Sequence, residues 1–137
     1  MGSTGNYLGG IDEKVGYNVR MPVDVTIEKL PEATAVITLS GHMTLGTSLK
    51  VADSQINGAI AEGTTRMVID LTGVDYMDSA GLGMLVYIYG TMREKNGTLR
   101  LCGVAQRLQS LLHLTKTDTF LPIDATREES LAALGTA

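Results

Sequence analysis

The chain has 137 residues, 44% hydrophobic and 19% charged, enough for one domain that buries roughly two-thirds of its unfolded surface and too apolar for intrinsic disorder. A net charge of −4, with 11 scattered Lys and Arg, no Trp and one Phe, argues against a nucleic-acid surface, which needs clustered cations and stacking rings. No apolar run approaches the roughly 18 residues of a membrane span, no basic start and apolar stretch mark a secretory leader, and the lone Cys102 cannot form an internal disulfide, so a reducing cytoplasm is the expected compartment.

Residues 1–14 open with the Gly- and Ser/Thr-rich MGSTGNYLGG and read as a flexible N-terminal tail, in part a cloning remnant. Residues 15–137 read as a single domain. Apolar residues alternate at Val15, Tyr17, Val19, Met21, Val23, Val25 and Ile27, the period of a half-buried strand. Pro22 interrupts the pattern, because proline donates nothing to a sheet ladder. Residues 23–30 are therefore the first strand, and residues 15–21 an extra edge strand. Residues 31–34 (PEAT) turn the chain, and residues 35–39 return as the second strand of a hairpin. Leu49, Ala52, Ile56, Ala59 and Ile60 then stripe one face of a helix, with Thr47 or Ser48 as cap and Gly63 as stop. Residues 67–71 (MVIDL) form the short apolar run of a strand covered on both faces. Residues 80–95 read as a helix and residues 98–102 as a strand. Val104, Leu108, Leu111 and Leu112 stripe a third helix, and residues 120–123 form a short last strand. Thr126-Arg127-Glu128-Glu129 has the form of a capping box opening a helix through Leu134. Strand–helix alternation after a hairpin predicts an α/β domain: a mixed, mostly parallel sheet of four to five strands with about four helices, joined by right-handed crossovers.

The chemistry concentrates in residues 67–83, MVIDLTGVDYMDSAGLG, read as a buried strand, a short polar loop and a helix start. Loops beyond the carboxyl ends of strands are where α/β sheets meet ligands and partners. Asp78 and Ser79 stand at the helix start, where both residue types are favoured caps worth about 1 kcal/mol against Ala. A purely structural role and a functional serine are both open on that ground. Gly81 and Gly83 in the first turn cost about 1 kcal/mol each, which implies that something approaches the backbone there. Further along, Leu82, Leu85, Val86 and Tyr89 make a sheet-facing stripe. Met84, Tyr87, Ile88 and Met92 form a second apolar face, either buried under a neighbouring helix or offered to a partner.

Rival chemistries find less support. A nucleophile elbow needs G-x-S-x-G, but Met77 stands two residues before Ser79, and neither His42 nor His113 is placed as its base. Two distant histidines and one cysteine make no zinc spacing. Asp70, Asp75 and Asp78 could gather around Mg²⁺ but read as solvated loop acids. Gly81-Leu82-Gly83 has Val86 where the third glycine of a dinucleotide loop belongs, which leaves nucleotide binding as a lesser alternative.

Asp78-Ser79-Ala80-Gly81-Leu82-Gly83, preceded by Asp70-Leu71 and Gly73-Val74, resembles the STAS domain. So do a Gly41 turn after the second strand and Leu99-Arg100-Leu101-Cys102-Gly103-Val104 leading into the third helix. The likeness is to the stand-alone anti-sigma factor antagonists of bacteria and covers about residues 23–134. It implies a STAS-like fold and a partner switch that catalyses nothing and carries no cofactor. Ser79 matches the serine phosphorylated by an anti-sigma factor serine kinase, which supplies its own bound ATP. The unmodified form binds that kinase and releases a sigma factor, the phosphorylated form lets go, and a PP2C-type phosphatase resets the switch. The resemblance further implies partner contacts from Asp78, Ala80, Gly81, Leu82, Gly83 and Met84. It implies them from Thr44 too, which stands where many such antagonists carry an Asp associated with kinase recognition. That departure leaves open a non-phosphorylated scaffold or accessory subunit, of the stressosome or lipid-transport kind, and self-association. A phosphate on Ser79 would add about −1.5 to −2 charge at a helix N-terminus that tolerates an anion, close to Asp75 and Asp78.

Overall fold

Alternation along the second strand sends Ala35, Ile37 and Leu39 to one side of a sheet and Val36 and Thr38 to the other. All but Thr38 are buried, so both sides must be covered. The computed structural model describes residues 21–135, which form β1 (Asp24–Leu30), β2 (Thr34–Met43), α1 (Thr47–Ala61), β3 (Arg66–Met77), α2 (Ser79–Glu94), β4 (Thr98–Cys102), α3 (Gln106–Leu114), β5 (Ile123–Asp124) and α4 (Arg127–Gly135). The five strands lie side by side in chain order. β1 and β2 form the antiparallel hairpin, and every later neighbour is parallel, giving the mixed, mostly parallel sheet that the alternation predicts.

The larger core lies between the Ile37, Leu39, Ile69 and Leu101 face of the sheet and helices α1 to α3. All five positions of the predicted α1 stripe are buried. On the opposite face Val36, Val68 and Cys102 sit under Leu134 of α4. α4 is fastened there by polar contacts. Arg127 donates to Asp70 Oδ2 and to Thr38 Oγ1, each at 3.0 Å, and Ser130 Oγ donates to Asp124 Oδ2 at 2.7 Å. The cap forms with one change: the Glu129 N–H donates to Thr126 Oγ1 as a capping box requires, but Glu129 Oε1 accepts from the Ala125 N–H, one residue before the cap, both at 3.1 Å.

Several local expectations are corrected. Neither Thr47 nor Ser48 caps α1; Gly46 holds that place with no side-chain hydrogen bond, and Ser48 Oγ instead accepts from the Val23 N–H at 3.1 Å. The residues after Leu71 are not a loop. β3 continues to Met77 because β2 continues beside it, with Ser40 opposite Gly73 and Met43 opposite Met77. Register shifts at Thr38/Ser40 and Gly41/His42 break the alternation that would have announced this extension. Gly41 thus lies inside β2 rather than in a turn after it, at φ +102°, and a Cβ there would come within 2.2 Å of the Pro22 carbonyl oxygen. Val104 is buried but precedes α3. The last strand is Ile123–Asp124, not residues 120–123; Phe120 and Leu121 follow a 3-10 turn at Thr117–Thr119. On α2 the second apolar face belongs mostly to the core: Met84, Ile88 and Met92 are buried and Tyr87 is exposed, while Val86 and Tyr89 are only half-buried. The expected tail at residues 1–14 and edge strand at 15–21 lie outside the described residues, apart from Met21, which belongs to no strand.

Burial alone pushes the Asp70 carboxyl up, but hydrogen bonds from the Thr72 side chain and backbone, and from Arg127, outweigh it and hold the group below its ordinary range. Asp124 is held low by the Arg100 hydrogen bond, against burial, with help from Ser130. Burial and the charge of Asp70 push the Cys102 thiol up to about 11, so it stays protonated and inert at neutral pH. A carboxyl depressed in the fold contributes stability that is complete above its unfolded pKa and is lost as pH falls through the folded one. The melting midpoint should therefore fall as pH drops from about 5 towards 2. Asp70→Asn together with Asp124→Asn should flatten that fall and lower the midpoint at pH 7. Arg127→Ala, which leaves Asp70 buried without its cation, should cost about 1–3 kcal/mol in denaturant titration at neutral pH; an unchanged midpoint would contradict the fastening role.

Candidate functional site

The site is built where β2 and β3 end together. Asp78, in extended backbone conformation, caps α2 by accepting from the Gly81 N–H at Oδ1, 3.0 Å away. Its other oxygen, Oδ2, accepts from the Leu45 N–H at 2.9 Å, and its own N–H donates to the Met43 carbonyl at 3.1 Å. One residue thus ties the first turn of α2 to the connection between β2 and α1. Gly81 is buried against that connection. A Cβ there would lie 2.3 Å from the Met43 carbonyl oxygen, so the close approach that this glycine permits is made by the chain's own β2. Gly83 differs: it is exposed, and nothing would meet its Cβ within 4 Å.

Ser79 is the first residue of α2 and is exposed, as are Asp75 and Tyr76 on the last stretch of β3. Of the other residues expected to face a partner, Asp78 and Ala80 are half-buried, and Gly81, Leu82, Met84 and Thr44 are buried. Thr44 keeps only 8% of its surface exposed. The neighbouring Leu45, which no sequence pattern singled out, is 67% exposed, as is Tyr87. Both line a groove of about 250 Å³ between α1 and α2, together with Leu49, Lys50, Asp53, Ala80 and Met84. A leucine isolated between Thr44 and Gly46 carries no periodicity to mark it; its position follows from the Asp78 hydrogen bond to its own N–H.

The histidines and Asp70 of the rival readings are held in other contacts. His113 Nδ1 faces Asp118 Oδ2 at 3.1 Å. His42 Nδ1 accepts from the Met21 N–H at 3.2 Å, and its ring meets the edge of Tyr76. Asp70 is committed to Arg127 on the α4 side of the sheet. No group of three His, Cys, Asp or Glu that could hold a metal ion is found among the described residues. The arrangement instead offers a hydroxyl at a helix N-terminus beside an apolar groove. Free amides and the helix dipole favour an added anion there, by about 0.3–1 kcal/mol at an exposed position.

The two glycines should separate cleanly by substitution. Gly81→Ala should destabilise by about 3 kcal/mol through overlap with β2. Gly83→Ala, in open space on the helix, should stabilise by up to about 1 kcal/mol. Chemical denaturation of both variants checks this, and equal costs would contradict the packing described.

A model of the STAS domain family matches residues 24–130. Over 103 residues the chain is 30% identical to the anti-sigma-B factor antagonist of Listeria monocytogenes, a match covering 75% of this chain and 90% of that protein. Among solved structures, an anti-sigma factor antagonist from Mycobacterium paratuberculosis superposes with a TM-score of 0.71 at 22% identity, over 82% of this chain and 93% of that one. SpoIIAA in its unphosphorylated form gives 0.68 at 20% identity, over 83% of this chain and 100% of that one. At these identities the structural likeness establishes the fold.

Proposed function

The chain belongs to the STAS domain family, among the anti-sigma factor antagonists, and from that premise we propose that it is a phosphorylation-controlled switch that binds an anti-sigma factor serine kinase while Ser79 is unmodified. The observation that carries this reading is the exposure of Ser79 on the first turn of α2, next to the groove between α1 and α2. A phosphate donor can reach that hydroxyl, and a partner seated on Leu45 and Tyr87 would lie close enough to feel what is added to it.

Phosphorylation adds about −1.5 to −2 charge. The fold tolerates it because α2 presents its N-terminus there. The interface does not, because Asp75 and Asp78 already place negative charge nearby, and closing a partner over like charges costs several kcal/mol. About 2.7 kcal/mol is a hundredfold in affinity, so release needs no refolding. A PP2C-type phosphatase would restore the binding form. The chain supplies no catalysis and no cofactor in this cycle, which belongs in the cytoplasm with the sigma factor it frees. Among the described residues no helix is long and apolar enough to cross a membrane.

Intact-mass measurement of the full chain, incubated with ATP and its partner kinase, should show the gain of one phosphate, mapped to Ser79 and absent in Ser79→Ala. By calorimetry Ser79→Ala should bind the kinase as tightly as the unmodified chain. Ser79→Asp, which carries less charge than a phosphate, should bind at least about tenfold more weakly, equivalent to about 1.4 kcal/mol. Equal binding by the two variants would sink the switch. A chain that takes no phosphate from any host kinase would favour the scaffold reading, in which Ser79 only opens the helix.

A further inference from the structure

The described chain begins at Met21, at the end of the sheet that also carries Ser79. β1 runs antiparallel to β2, with Asp24 opposite Ser40, so stepping back from Asp24 advances along β2 towards its end. Met21 sits at that end: its carbonyl accepts from the His42 N–H at 3.3 Å and its N–H donates to His42 Nδ1 at 3.2 Å. Val23 is held beside the start of α1 by its bond to Ser48. The described chain thus begins at the end of the sheet where Leu45, Asp78 and Ser79 lie, not at the far end.

Two further observations identify an occupant. The groove is lined by apolar side chains, with Leu45 and Tyr87 each 67% exposed and with one cation and one anion, Lys50 and Asp53, among its lining residues. The run Val15-Gly16-Tyr17-Asn18-Val19 is uncharged and places apolar side chains at every second position, which in extended form line one edge. Six residues reach about 20 Å, so residue 15 is within range of a groove whose rim begins three residues beyond His42. The family match begins at residue 24, so this segment precedes the part of the chain that the family model matches. We propose that residues 15–19 dock in the groove between α1 and α2 as an arm, with Tyr17 as its anchor, and so cover the surface next to Ser79. The docking stands independently of the phosphorylation switch. Its consequence, that the arm and a kinase exclude each other, rests on that reading.

The chain contains no Trp, so Tyr17→Trp in the full chain provides a single fluorescent reporter. Its emission should be blue-shifted. An arm closed for half the time or more should cut acrylamide quenching to about half, or less, of that seen when the groove is spoiled by Leu45→Glu and Tyr87→Glu. Both groove side chains are exposed, so the fold should survive; circular dichroism checks this, and the milder Leu45→Ser repeats the comparison if it does not. Equal quenching with and without the groove substitutions would overturn the proposal. So would shielding that disappears on dilution, which would assign the groove to a second copy of the chain. Neither readout involves phosphate or a kinase, so a failed switch would leave this result standing, and a failed arm would leave the switch standing.

Discussion

The carboxylate of Asp78 joins the two segments that leave the end of the sheet. It holds the first turn of α2 through the Gly81 N–H and the β2–α1 connection through the Leu45 N–H. Hydrogen bonds to a charged acceptor contribute about 1.5–3 kcal/mol each, and Gly81 adds contact by letting the helix sit directly on the Met43 carbonyl. Without this clamp neither the exposure of Ser79 nor the opposition of Leu45 and Tyr87 across the groove would be fixed. The residue that reads most simply as a helix cap is therefore also the one that assembles the site.

The clamp separates the site from the rest of the fold's polar scaffolding. α4 is fastened on the other face of the sheet by Asp70, Arg127, Asp124 and Ser130, with the apolar layers of β2 and β3 between. Negative charge added at Ser79 meets exposed Asp75, half-buried Asp78 and the helix N-terminus, all within one end of the molecule. An exposed charge is largely screened beyond roughly 8–10 Å at physiological ionic strength. Under the proposed switch, added charge would therefore act on what docks there rather than reshape the domain.

Much of the fold was legible from the sequence because its signals are local. The α1 stripe from Leu49 to Ile60 is buried as its spacing predicts, and Thr126 accepts from the Glu129 N–H as its predicted cap role requires. The misreadings share a cause: they depend on partners distant in sequence. β3 extends past Leu71 only because β2 runs beside it with two register shifts. Ser48 looks like a cap but is drawn to Val23. On α2 both apolar faces were visible, yet which one meets the sheet depends on where α1 sits, and Ile88 and Met92 proved to be core. At the site, Asp78 and Ser79 stood out through their motif. Leu45 did not, because its place is set by a hydrogen bond that its N–H donates to a residue 33 positions away.

The account rests on a platform that can accept charge at one exposed hydroxyl without changing shape. Amide chemical shifts of the full chain, with and without phosphoserine installed at position 79, test this most directly. The account predicts changes confined to the β2–α1 connection, the last residues of β3 and the first two turns of α2, with the Val36, Val68 and Leu134 cluster and its α4 contacts unaltered. Shifts spreading through α4 and that cluster would mean that the phosphate refolds the domain, and would contradict the account.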